Sequence, residues 1–165
     1  MLVATGYFDA AGNPCLKVHL AGVFVDTPGI EFETIIDTGF SGFLAIPIVR
    51  AFPLGLPLNG TASAVLADGN TSTCLTALCR LTIGKQTKEG LVMLQAQGTD
   101  LLLGMDFIRK FKLSMMMTKS EIILLDEDAI DQLRKDVQAT PKSAALPAPV
   151  ASASSSPPNG PKKRA

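Results

Sequence analysis

The sequence predicts an all-β domain, and three observations carry that reading. The stretches Leu16–Leu20 and Ile30–Ile36 alternate apolar and polar residues, as strands with one buried face do. Turn signals separate such stretches: Asp26-Thr27-Pro28-Gly29, Asp68-Gly69-Asn70 and Gly84-Lys85. Two unbroken apolar pieces, Ile35-Ile36 and Leu101-Leu102-Leu103, read as the ends of buried strands, and each runs into a glycine-bearing bend.

In chain order, residues 1–14 hold a short apolar piece, Tyr7-Phe8, among Gly6 and Gly12-Asn13-Pro14, and read as a loop or a first edge strand. Cys15 to Val25 is a half-buried strand, with His19 on its face rather than serving as a ligand. The next strand, Ile30 to Ile36, delivers the chain to Asp37. Phe43 to Pro47 is a short strand behind that point, and Ile48 to Phe52 suits one or two helical turns. Pro53, Gly55, Pro57 and Gly60 then argue against regular structure. Ala64-Val65-Leu66 and Thr71 to Leu75 flank a hairpin turn at Asp68-Gly69-Asn70. Asn70-Thr71-Ser72 matches a glycosylation acceptor, discounted here for want of a secretion signal. Ala77–Ile83 and Thr87–Gln95 form a strand pair, and Gln97-Gly98-Thr99 breaks the chain before Leu101.

After Gly104, Met105 to Phe111 has helical spacing, with Met105, Ile108 and Phe111 or Lys112 on one face. Strands at Lys112–Met117 and Glu121–Leu125 follow, joined by Thr118-Lys119-Ser120. Met115-Met116-Met117 reads as adaptable core or interface filling. Asp126 can cap a helix from Glu127 to Val137, with Ile130, Leu133 and Val137 on one side. From Ala139 the composition shifts to Pro, Ala and Ser and ends in Pro161-Lys162-Lys163-Arg164. The expected organisation is a folded domain over 1–126, a short helix over 127–138 and a disordered tail over 139–165.

Composition narrows the function. Hydrophobic residues make up 47% of the 165, which suits one packed domain. The formal net charge of +0 argues against a general nucleic-acid surface. The three cysteines, Cys15, Cys74 and Cys79, are an odd number without a signal segment, so reduced thiols in the cytoplasm are expected. No apolar stretch is long enough to cross a membrane, and no pattern of paired ligands points to a metal.

The candidate site is Ile35-Ile36-Asp37-Thr38-Gly39-Phe40-Ser41-Gly42. A buried strand runs into a carboxylate, and Gly39 and Gly42 let the backbone bend after it. An acidic group so placed needs hydrogen bonds, which Thr38 and Ser41 are able to supply. An Asp-Thr-Gly triplet is also an ordinary turn. The second element, Leu101-Leu102-Leu103-Gly104-Met105-Asp106-Phe107-Ile108, weighs against chance.

Together the two elements resemble the retropepsin-like aspartic proteases, which carry hydrophobic-hydrophobic-Asp-Thr-Gly early and hydrophobic-hydrophobic-Gly late. The resemblance spans about residues 12 to 126. It implies a closed barrel equivalent to half of an acid protease, with one short helix after the late glycine strand, working as a homodimer on peptide or protein substrates. By the same resemblance Asp37 is the catalytic residue. Thr38 bonds across the two-fold axis, Gly39 approaches the substrate, and Ser41 supports the loop. Phe40 borders the substrate pocket, and Ala67, Asp68 and Gly69 are flap positions. Leu103 and Gly104 lie behind the site, and the hairpin after Gly104 joins the dimer interface. No metal or organic cofactor is implied.

Two departures stand out: Phe40 replaces a frequent Ala or Ser, and Ser41 replaces a residue that is acidic in some members. Aspartic proteolysis needs two carboxylates sharing a proton, and this chain has a single Asp-Thr-Gly. The second must come from another copy, related by a two-fold axis. Two alternatives remain open at this point. One is a catalytically silent peptide-binding or dimerisation module of the same fold. The other is a β-rich domain with a chance turn.

Overall fold

The structure, a computed structural model, describes residues 1–24, 26, 29–65, 69 and 71–139. Its strands are β1 (Leu2–Phe8), β2 (Pro14–Gly22), β3 (Ile30–Ile36), β4 (Leu44–Pro47), β5 (Leu58–Val65), β6 (Thr71–Ile83), β7 (Gln86–Gln95), β8 (Leu102–Leu103), β9 (Leu113–Met117) and β10 (Glu121–Asp126). Helix α1 (Ile48–Ala51) and a 3₁₀ turn (Phe52–Leu54) follow β4. Helix α2 (Met105–Lys110) follows β8, and α3 (Glu127–Ala139) follows β10.

Alternation sets the inner wall. Along β2, Leu16, Val18 and Leu20 are buried while Lys17 and His19 face out. The β1–β2 turn is held by Asp9, whose Oδ1 accepts from the amides of Ala11 (2.9 Å) and Asn13 (2.8 Å). Its Oδ2 accepts from the Asn13 side-chain amide at 2.9 Å. On β3, buried Thr34 donates its hydroxyl to the Leu16 carbonyl at 2.8 Å, so no polar group is stranded between these strands.

The described strands are ordered β5-β6-β7-β4-β8-β3-β2-β1-β10-β9, and a further β6–β2 pairing closes part of this sheet on itself. The closed ring is β2-β3-β8-β4-β7-β6. Its seam is antiparallel, from His19 opposite Thr82 to Gly22 opposite Cys79. Closure removes sheet edges within the ring. Phe43, Phe107 and Phe111 form an aromatic cluster in the core, with ring centroids 6.3, 6.5 and 5.0 Å apart. That cluster fastens α2 to the barrel.

Four readings need correction. Residues 2–8 are neither loop nor edge: β1 pairs with β10 along its length and with β2 at Tyr7 and Phe8. Its partner β10 lies more than a hundred residues away, beyond the reach of local signals. Regular structure returns at Leu58 in spite of Pro57 and Gly60. There β5 is an outer strand with an irregular register between Leu58 and Gly60, where Gly60 takes φ +124°. The segments Thr71–Leu75 and Ala77–Ile83 are one strand, β6, whose first half pairs with β5 and whose second half forms the barrel seam. On α2 the buried residue is Phe107, followed by Phe111 just beyond the helix, while Met105 and Ile108 are half-buried.

At the far end, the Asp128 amide donates to Asp126 Oδ1 at 3.0 Å at the start of α3. Met116 and Met117 are about half exposed on β9, while Met115 packs against the core. Thr27 and Pro28 of the first turn lie outside the described residues, as do residues 140–165 of the expected tail. No described helix is long and apolar enough to cross a membrane.

Candidate active site

Asp37 stands one residue past the end of β3. Its amide donates to the Leu103 carbonyl at 2.9 Å, as that of Ile35 does to the Leu101 carbonyl at 2.8 Å. The parallel β3–β8 ladder therefore extends to the aspartate and fixes its direction. Alternation sends Ile36 into the core and leaves Glu33, Ile35 and Asp37 on the opposite face.

Beyond Asp37 the chain turns sharply, and the Phe40 amide donates to the Asp37 carbonyl at 3.1 Å. The Gly39 amide donates to Asp37 Oδ1 at 2.9 Å. One carboxylate oxygen is thus oriented by the loop's own backbone, rather than by the Thr38 and Ser41 hydroxyls that the sequence offers. Among the described residues those two hydroxyls and Oδ2 have no hydrogen-bond partner. Asp37 is half-buried, and Thr38, Gly39 and Ser41 are exposed. The carboxylate lies at an open surface of the single chain.

Helix α2 supports the loop from behind. The Met105 amide donates to the Phe40 carbonyl at 2.8 Å and the Asp106 amide to the Gly42 carbonyl at 3.2 Å. First-turn amides of a helix have no partner inside it, and here the aspartate loop supplies their acceptors. The approach is so close that Gly104 admits no side chain: a Cβ there would meet the carbonyl oxygens of Gly42 and Phe40. The Phe40 ring covers the same spot, 2.7 Å from that Cβ position, and also lies over Gly42. Phe40 is half-buried, seated on two glycines.

The other expected site residues divide. Leu103 and Gly104 are buried behind the loop. Gly69 is exposed in the β5–β6 connection with φ +82°. Ala67 and Asp68 lie outside the described residues. Among the described residues no cluster of three or more His, Cys, Asp or Glu is arranged to hold a metal ion. Sequence reasoning passed over Met105 and Asp106, whose contribution is a backbone amide and leaves no side-chain signature. It also passed over Glu33, which the period of two places on the Asp37 face and which was therefore readable.

A family model described as aspartyl protease matches residues 23–107, just over half of the chain, including Asp37 and Gly104. In structure the chain is similar to a retropepsin-like aspartic protease from Rickettsia conorii, with a TM-score of 0.53 and 20% identity. That likeness covers 73% of this chain and 88% of the other. No curated protein matches the sequence.

Proposed function

The chain belongs to the aspartyl protease family, and on that premise we propose that it is an endopeptidase whose active site forms between two copies of the chain, with Asp37 as its catalytic carboxylate. One observation supports this most: a loop carboxylate lies at an open surface, with one oxygen oriented by the Gly39 amide and the other without a hydrogen-bond partner among the described residues. Such a group is half of a catalyst. A second copy related by a two-fold axis would bring its own Asp37 opposite, and two adjacent carboxylates share one proton because like charges about 3 Å apart repel.

The chemistry is then a paired proton transfer. The ionised carboxylate removes a proton from water, and the water oxygen bonds to the peptide carbonyl carbon. The protonated carboxylate gives its proton to the carbonyl oxygen. Collapse of the tetrahedral intermediate breaks the C–N bond, and the amine leaves with a proton from the pair. The exposed Thr38 hydroxyl suits a bond across the axis, and the β5–β6 hairpin suits a flap over bound peptide. The hairpin β9–β10, with exposed Met116 and Met117, suits the dimer contact. In this reading residues 1–126 form the protease domain.

The test compares wild-type protein with Asp37→Asn on a peptide library across pH 3 to 7, roughly where such pairs titrate, with oligomeric state measured by ultracentrifugation. Wild-type cleavage that falls on dilution with the dimer fraction, and is absent from Asp37→Asn, is the expected result. Peptide binding without cleavage by the wild type would favour the silent module instead.

A further inference from the structure

The Asp37 face of β3 carries more than the aspartate. A cavity of about 130 Å³ opens along β3 before Asp37, with Ile35 and Leu101 on its walls and the carboxylates of Asp9, Glu33 and Asp100 around it. A cavity of about 150 Å³ is enough to hold benzene, so this one has room for a short carbon chain. Ile35 precedes Asp37 by two residues on the same face, a spacing of about 6.8 Å along a strand. An extended peptide has the same repeat, so a side chain within a residue or two of the cut bond is in reach of the cavity.

The charges there are uneven. Among the described residues none of the three carboxylates has an ion-pair partner. Asp9 is occupied with its own turn, and Asp100 accepts from the Thr99 hydroxyl at 3.2 Å. The cation on the wall, Arg50, donates to the Thr99 carbonyl at 3.2 Å and lies 5.1 Å from the centre of the Phe32 ring. The Tyr7 phenol is pushed up to about 12, first by its hydrogen bond to Glu33. The Cys15 thiol is raised by burial and then by Asp9 and Glu33.

We propose that this cavity is a subsite for a lysine or arginine side chain of the peptide, with Glu33 and Asp100 as its specificity-determining residues. The aliphatic stem lies along Ile35 and Leu101, and the cationic head meets the carboxylates, as long basic side chains arrange themselves on mixed surfaces. The inference rests on the peptidase reading for its location and on the cavity for its chemistry.

The two are separable because binding can be read without cleavage. Peptides carrying Lys, norleucine or Glu at each position around the central bond are titrated against Asp37→Asn protein. The same peptides are titrated against Asp37→Asn protein that also carries Glu33→Gln and Asp100→Asn. Both added sites are exposed, so the fold should tolerate them, and thermal melts check this. At one position Lys should bind about tenfold tighter than norleucine. The advantage should shrink with salt and vanish in the triple variant. Equal affinity for Lys and norleucine, or an advantage that survives both added substitutions, overturns the subsite. Wild-type cleavage without basic preference also overturns it and leaves the peptidase standing. Lys-dependent binding by a wild-type protein that cuts nothing supports the subsite and removes the peptidase.

Discussion

The Met105 amide and the Phe40 carbonyl are joined by a 2.8 Å hydrogen bond, which ties the first turn of α2 to the aspartate loop. The loop and the helix are therefore bonded to each other, and Gly104 between them has no room for a side chain. Gly104→Ala should force the two apart. The expected cost is about 1–3 kcal/mol of stability, the usual range for overpacking. On the proposed peptidase reading, cleavage should fall further than stability does. Urea unfolding alongside a peptide-cleavage assay checks both; an unchanged midpoint would contradict the close approach.

Phe107 and Phe40 should part company on truncation. Phe107 is fully buried in the cluster with Phe43 and Phe111. Phe107→Ala should cost about 3–5 kcal/mol, as large-to-small core changes do. Phe40 is half-buried over glycines, so Phe40→Ala should cost less stability and, on the proposed reading, alter which peptides are cut. Denaturation curves and cleavage-site mapping of both variants test the contrast.

The Asp9 turn sets a pH dependence. The Asn13 side chain and backbone amides that bond to it hold the Asp9 carboxyl below its ordinary 3.8. A folded-state value below the unfolded one means the ionised form favours folding. That contribution is complete above about pH 3.8 and disappears as the pH falls through the lowered value. The stability gap between wild type and Asp9→Ala should therefore narrow on acidification below that point. Urea titrations from pH 2 to 6 would show it, and a gap that widened in acid would refute the assignment.

Thiol reactivity should be selective. Burial pushes the Cys79 thiol up to about 12, and Cys15 is buried too, while Cys74 is half-buried on β6. At pH 8 a thiol reagent should label Cys74 in the native protein and reach Cys15 and Cys79 only with unfolding. Mass spectrometry of native and denatured samples reads the sites directly.

Some of the fold was legible because its signals are local. The alternation in β2 and β3, the turns after Phe8 and Ile83, and the apolar strands at Ile36 and Leu103 each need only neighbouring residues to be read. The reading failed where the deciding partner was distant. β1 is a strand because β10 pairs with it. β5 starts directly after Pro57 and continues past Gly60 because β6 provides a template for it. Phe107, which the helical spacing left off the named face, turns inward because Phe43 and Phe111 wait there.

The sequence by itself determined the family, the all-β class and the position of Asp37 at the end of a buried strand, because a carboxylate between a buried strand and a glycine turn is a short-range pattern. Only the tertiary structure decided what orients that carboxylate and what surrounds it. The Leu103 carbonyl and the first amides of α2 hold the loop, while Asp9, Glu33 and Asp100 line a cavity with Ile35, two residues before Asp37. These partners are remote along the chain, and backbone hydrogen bonds and barrel closure, unlike periodicity, are not written in any one window of residues.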